Sequence, residues 1–461
     1  MLDDIMREST ALFPGDAQSV LRGHENRQRS AVLRNGSLVS SIRAESRGVS
    51  ALVYKGGVYG FSSSPDYSKT GCDTVLMEAE KNAAFLSSAS PRGTGAFPKA
   101  ERKRVETLRK IEDAEQKDIL DRIREVDAYI ASRCPGLKAR SVGYREDSQE
   151  KIIYSSDMSS GRIVNPRAFI TVSLSAETKD GTTVSLHDAY GGRGSFYNNF
   201  TSVKWLFPLI DSLYMRLMDK KEGVYAEAGM KKVVLGGILS GMLAHEAVGH
   251  TVEADLVRGG SVAGPSLNKT VASPLVSLVD FAHTAFGKAA PLPVLIDDEG
   301  VPAEDAVLIK DGILTGFMHN RESAMEWGVK PTGNARSWSF SDEPLIRMRN
   351  TAVLPGNDKL EDIIASIDDG YYLTDTNNGQ ADLSGEFMFG VTMGYEIKKG
   401  KLGRAILDTT VSGIAFEMLR SVDMVSDTVI WTSAGMCGKK QPIPVGMGGP
   451  QLRCTLMIGG R

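Results

Sequence analysis

Short apolar runs alternate with polar ones over residues 30–62. Ala31-Val32-Leu33, Val49-Ser50-Ala51-Leu52-Val53-Tyr54 and Val58-Tyr59-Gly60-Phe61 each fit a strand, and Lys55-Gly56-Gly57 between the last two is a hairpin signal. This predicts an antiparallel sheet. Residues 73–89 switch to helical spacing. Over residues 100–131, Val105, Leu108, Ile111, Ile119, Ile123, Val126 and Ile130 recur at helical spacing among charges of alternating sign. One long helix or two short ones are expected there, with a solvated outer face. Strand alternation returns over 136–187, as in Ala168-Phe169-Ile170-Thr171-Val172, and helical signal follows at 203–228. Tyr190-Gly191-Gly192-Arg193-Gly194-Ser195 does not fit phosphate-loop spacing and reads as a loop.

Beyond residue 230 one strong helix is predicted from Ser240 to Arg258, with Ser240 as N-cap and Gly259-Gly260 as its stop. The rest reads as strands joined by turns such as Asp297-Asp298-Glu299-Gly300, Lys310-Asp311-Gly312 and Lys398-Lys399-Gly400. Helices are expected near 280–287, 358–367 and 413–421. The fold class is α+β. An N-terminal domain, residues 1–225, combines an antiparallel sheet with long helices. A β-rich C-terminal domain, residues 226–461, carries the helix at 240–258.

Composition narrows the function. A chain of 461 residues exceeds one ordinary core, which favours more than one domain. With 54 basic and 57 acidic residues the net charge is −3, too balanced to hold a polyanion, so nucleic acid is not the expected partner. The four cysteines, Cys72, Cys134, Cys437 and Cys454, form no CxxC pair and suit a reducing compartment. No basic, then apolar, leader opens the chain, and no apolar stretch reaches bilayer length. A cytoplasmic protein with no membrane partner is expected.

The chemistry concentrates in His245-Glu246-Ala247-Val248-Gly249-His250. The usual zinc-peptidase helix spaces its histidines at i and i+4, which puts both imidazoles on one face. Here the spacing is i+5, roughly 140° apart on a regular helix. A π-type turn would bring i and i+5 together, and Gly249 would ease such a distortion. The alternative is a regular helix with Glu246, His250 and Glu253 on one face, a carboxylate-rich site suited to manganese or iron. A catalytic zinc needs a third protein ligand from elsewhere. Candidates are His187, His283, His319, the acids of Asp297-Asp298-Glu299, and a cysteine. Cys437, flanked by glycines and close to Lys439, has the setting that favours a thiolate and an exposed one, and leads that group.

At these residues the chain resembles the TldD/PmbA family of metallopeptidases, on the TldD-like side. The resemblance runs from His245 to Glu253 and through Ile296-Asp297-Asp298-Glu299-Gly300 and Pro331-Thr332-Gly333-Asn334-Ala335-Arg336. It continues through Gly379-Gln380-Ala381-Asp382, Ser384-Gly385, and Cys437-Gly438-Lys439 to Pro444-Val445-Gly446. A fainter match surrounds Arg47-Gly48-Val49. The resemblance implies Zn2+ held by His245, His250 and Cys437, with Glu246 as catalytic base. It implies peptides and unfolded polypeptides as substrates, and a homodimer or a heterodimer with a metal-free relative. The segment Gly438-Lys439-Lys440-Gln441 is shorter than the family pattern and lacks a glycine before Gln441, which leaves substrate contacts there open. Substrate backbone is expected to pair with a strand of the C-terminal sheet, near 379–397. The alternative reading is a non-catalytic, metal-stabilised modulator acting on a protein partner. A further alternative is a hydrolase of non-peptide substrates.

Overall fold

The computed structural model describes residues 2–89, 97, 104–107, 112–157 and 159–459. Its first half is organised by a seven-stranded sheet. Val58–Ser64, Ser37–Lys55 and Gln18–Arg34 form a meander, extended by Ala139–Ser155 and Ser160–Glu177. Thr183–Arg193 and the short parallel strand Arg104–Glu106 both pair with Ser160–Glu177.

Strand alternation gives the sheet two different faces. On Gln18–Arg34 the odd positions Leu21, Ala31 and Leu33 pack under helices: Lys69–Ala89 at one end and Gln116–Arg133 with Phe207–Lys221 at the other. The even positions Arg22 and Asn26 meet the second half of the chain instead, bonding to Ser337, Trp338 and Asp342. A side chain at Gly48 would lie 2.5 Å from the Phe340 ring, so this glycine lets the second half close onto the sheet.

Two large sheets organise the second half. One has the order Ile313–Leu314, Ala306–Lys310, Leu278–Phe281, Asn350–Val353, Ile443–Gly449, Ile430–Cys437. The other runs Asp369–Ala381, Gly229–Leu235, Leu452–Ile458, Thr409–Ile414, Glu386–Lys398, Lys401–Ala405, and Glu386–Lys398 also pairs with Asp369–Ala381 to close a ring. The histidine-bearing helix is built into the core these sheets share. Leu239, Leu243, Ala244, Ala247 and Val248 contribute to one cluster with Val233, Leu373, Val411 and Leu452 from the ring and Leu278 and Ile309 from the open sheet. One stripe of it, Ile238, Met242, Glu246 and His250, is partly exposed, and the other sides are buried, which is why the helix is largely apolar.

Several elements depart from the sequence pattern. The expected helix over 100–131 is Gln116–Arg133, and Arg104–Glu106 is a strand; residues 100–103 and 108–111 lie outside the described residues. Tyr190 to Arg193 are no loop but the end of the strand Thr183–Arg193, and Ser195 caps Phe196–Asn199. Residues 280–287 are not helical: Leu278–Phe281 ends there, and Thr284–Ala285 turns through Phe286 and Gly287, both at positive φ, into Lys288–Ala289. The helix Arg321–Trp327 had no counterpart in the pattern. Its apolar positions are too few to show a period.

Candidate metal centre

The helix begins at Gly237, not at Ser240. Gly236 is the N-cap, and the Ser240 hydroxyl is buried inside the helix, donating to the Pro450 carbonyl at 2.6 Å. Small residues set the closeness of this packing. A Cβ on Gly241 would sit 3.0 Å from the Gly448 nitrogen, and one on Gly237 would sit 2.6 Å from the Gly449 carbonyl. The helix therefore lies almost backbone to backbone on the strand Ile443–Gly449, which in turn pairs with the strand carrying Cys437.

The helix is distorted where the five-residue spacing demands it. Ala244–Gly249 form a π-helical turn, followed by a 3-10 turn at His250–Val252. In a π turn i and i+5 are near neighbours, and the rings of His245 and His250 are 5.3 Å apart at 77°. Gly249 serves this turn by its size. Its φ and ψ of −54° and −47° are ordinary helical values. A Cβ there would meet the Met348 sulfur at 2.1 Å.

Cys437 comes to the histidines from the end of Ile430–Cys437. Its Sγ lies 3.4 Å from His250 Nε2, and one donor atom each from His245, His250 and Cys437 all fall within 4.8 Å of one another. The cysteine is 2% exposed, not open as its glycine neighbours suggested. Burial alone would raise its thiol, but the two imidazoles hold it down to about 3. The other cysteines show burial without such partners: Cys72 and Cys134 are pushed up to about 11 and Cys454 to about 12.

The donors fit a zinc ion. Bonds of about 2.0–2.3 Å in a tetrahedron separate ligand atoms by roughly 3.3–3.7 Å, and the sulfur–Nε2 distance lies in that range. More telling, His245 is 1% exposed and, among the described residues, neither ring nitrogen makes a hydrogen bond of ordinary geometry. Such a buried orphan is costly unless something else binds it.

Around these donors the other groups have distinct places. Glu246 reaches both imidazoles, with Oε1 3.9 Å from His245 Nε2 and Oε2 3.7 Å from His250 Nε2, and remains partly exposed. Glu253 is fully buried and sits on the far side of the ring, its Oε2 2.9 Å from His250 Nδ1 and 3.2 Å from Lys439 Nζ. The π turn thus removes the alternative in which Glu246, His250 and Glu253 share a helix face. Glu253 orients His250 from behind, a common arrangement for a ligating histidine. Arg347, also buried, donates to the carbonyls of Cys437, Lys439 and Gln441 and fixes the turn after the cysteine. Sequence reasoning missed Arg347. The available signal was an arginine two positions from another, Arg349, in a segment of strand character.

The remaining candidates go elsewhere. His187 is exposed, His283 is half-buried, and His319 bonds Ser323 at 3.0 Å, with burial lowering its imidazole to about 4. None of them joins the three-donor group among the described residues. Asp297-Asp298-Glu299 is a turn, as expected, but a buried one that clasps the two halves. Asp298 bonds Lys151 at 2.6 Å, and Glu299 accepts from Tyr59 at 3.1 Å and from the Arg321 backbone at 2.9 Å. Asn334 and Arg336 are buried on Asp280 and on backbone carbonyls, so they are structural.

Residues 228–460 match the family described as PmbA/TldA metallopeptidase C-terminal domain, and residues 20–85 match PmbA/TldA metallopeptidase domain 1. A metalloprotease TldD homolog of Haemophilus influenzae is 32% identical over 371 residues, 77% of this chain and 73% of that protein. A metalloprotease TldD homolog of Buchnera aphidicola from Acyrthosiphon pisum is 31% identical over 452 residues, 93% of this chain and 90% of that protein. A protein of Saccharolobus solfataricus named a zinc metalloprotease TldD homolog is 28% identical over 354 residues, 75% of this chain and 76% of its own. Among solved structures, TldE of Thermococcus kodakarensis superposes over 100% of both chains with a TM-score of 0.76 at 15% identity. That likeness concerns the fold. The family match and the relatives define a metallopeptidase. The chain belongs to the PmbA/TldD family.

Proposed function

We propose that this chain is a zinc-dependent peptidase that cleaves peptides and unfolded polypeptides. The observation that carries the reading is the buried imidazole of His245, without a hydrogen bond of ordinary geometry among the described residues, beside His250 and Cys437. Two imidazoles and a thiolate are borderline-to-soft donors, a set that favours zinc over manganese or magnesium. When bound, zinc supplies Lewis-acid polarisation of the scissile carbonyl.

The residues of the chain do the rest. His245, His250 and Cys437 would hold the ion, and Glu246 borders both histidines beside it. Glu246 is the group able to move a proton, because its carboxylate borders both ring nitrogens and still touches solvent. It accepts the proton of the attacking water and delivers it to the leaving amine. Glu253 and Lys439 hold the His250 ring in one orientation. A thiolate ligand donates more charge than a third histidine would, so turnover is modest.

Substrate pairing along 379–397 is narrowed by the ring. Glu386–Lys398 is paired to Asp369–Ala381 on one side and to Thr409–Ile414 or Lys401–Ala405 on the other. Asp369–Ala381 pairs with Gly229–Leu235 only at Tyr371–Leu373, so its outer edge beyond residue 373 is the one to accept a peptide backbone. A cytoplasmic dimer, of like chains or with a metal-free relative, completes the proposal.

The test is proteolysis of an unfolded protein by purified wild-type and Glu246→Ala chains, with metal analysis of both. The proposal expects equal zinc content and loss of cleavage in the variant. A zinc-loaded wild-type chain inert to a broad set of unfolded proteins would instead support the modulator reading.

A further inference from the structure

Cys437 owes its aim to an irregularity in its own strand. Ile430, Trp431 and Thr432 pair with Gly449, Gly448 and Met447, whereas Gly435, Met436 and Cys437 pair with Val445, Pro444 and Ile443. Ser433 and Ala434 therefore stand together opposite the single Gly446, which is a β-bulge. Side chains alternate along a strand, so a slip of one residue turns every later side chain to the opposite face. Were the same residues paired without the bulge, Cys437 would fall opposite Pro442 and point away from His245 and His250.

The carbonyls of these two bulge residues are held from the other half of the chain. Arg167 Nη1 donates to the Ser433 carbonyl at 2.9 Å, and Arg145 Nη2 donates to the Ala434 carbonyl at 3.0 Å. The remaining fork of Arg167 is taken by Asp147, through Nε at 2.9 Å and Nη2 at 2.8 Å. Asp147 and Arg167 are cross-strand partners in the first sheet. Both guanidinium groups lie over the Phe169 ring, at 5.3 and 5.5 Å from its centre. Arg167 is 1% exposed and Asp147 4%, so the fork has little freedom to move. A buried ion pair is a poor source of stability, and its best-supported use is to fix geometry.

We propose that Arg145, Arg167 and Asp147 are positioning residues by which the N-terminal sheet holds the bulge and seats Cys437 for metal. The inference rests on the reading of Cys437 as a metal ligand. It makes the metal centre a property of both halves, although every donor lies in the second.

Cobalt(II) is the probe, titrated into full-length wild-type, Arg167→Met, Arg167→Lys and Arg145→Met chains. The near-ultraviolet thiolate-to-cobalt charge-transfer band reports sulfur ligation, and the visible bands report total bound metal. The proposal expects Arg167→Met and Arg145→Met each to bind cobalt about tenfold or more weakly, with a smaller sulfur band per bound ion and cooperative unfolding retained. Arg167→Lys is expected between these and wild type. Folded variants with wild-type affinity and a full sulfur band overturn the proposal. If Arg167→Met does not unfold cooperatively, Arg145→Met decides on the same two outcomes, since it leaves the Asp147 fork intact. A wild-type chain with no sulfur band overturns the reading of Cys437 itself; a normal wild-type band with unaffected variants overturns only the positioning role.

Discussion

The sulfur of Cys437 lies 3.4 Å from Nε2 of His250, across 187 residues of sequence. Each makes the other's charge tolerable in a buried place. Burial opposes both charges, yet the imidazoles hold the thiol to about 3, while Cys437 and Glu253 hold His250 up to about 10. The metal-free chain therefore carries a thiolate–imidazolium pair at neutral pH.

Metal uptake needs the thiolate and a neutral imidazole. At pH 8 the sulfur has already lost its proton and His250 still holds one. Zinc binding is expected to release about one proton, from His250. The sign follows: affinity rises with pH until about 10, where His250 is already neutral, and is flat above it. Calorimetric titrations in two buffers of different protonation enthalpy count the proton. A count near zero would show that His250 is already neutral beside the thiolate in the free chain.

Glu253 acts on the metal only through His250. Glu253→Ala is expected to weaken zinc binding by about 10–100-fold, with cleavage recovering at saturating zinc. Chelator competition measures the first and activity against zinc concentration the second. A variant that stays inactive at full occupancy would place Glu253 in the chemistry instead.

Gly249 is needed because Met348 occupies the space of a side chain. Gly249→Ala is expected to cost roughly 1–3 kcal/mol, the usual penalty of overpacking. The cost should shrink in a Met348→Ala background, because the two residues compete for one space. Denaturant unfolding of the four chains of that cycle gives the coupling. Additive effects would mean that the glycine serves the backbone rather than the contact.

Asp298 sets the acid limit of the contact between the halves. Burial would raise its carboxyl, but Lys151 and Arg22 bring it down to about 2. A depressed carboxyl contributes stability that is complete above its unfolded value of roughly 3.9 and is lost as pH falls through about 2. Lys151→Met leaves the carboxylate buried beside a weaker partner set. It is expected to cost about 3–5 kcal/mol at neutral pH and to move acid unfolding to higher pH. Unfolding followed from pH 7 to 2 in both chains checks the direction.

Much of the centre was legible because it is local. A spacing of five between the histidines suits a regular helix poorly, so a distorted turn within 245–250 was the expectation beside a regular-helix alternative, and the structure places it at Ala244–Gly249. The strands of the first sheet were readable because their alternation is long, and Lys55-Gly56-Gly57 fixed a hairpin register. Ser240 misled because a serine before an apolar run suits an N-cap, whereas here it bonds a carbonyl of Pro450 that no local pattern announces. Residues 280–287 misled because a short apolar run has no period of its own.

Sequence by itself determined the donor types, the glutamate beside the first histidine and the strain in their spacing. These depend on bonds between near neighbours. Only tertiary structure decided that Cys437 is buried, that Glu253 stands behind His250, and that a bulge gripped by Arg145 and Arg167 turns the cysteine inward. Those outcomes rest on contacts between segments far apart in the chain. A one-residue change of register, invisible in composition or period, reverses which face a side chain takes.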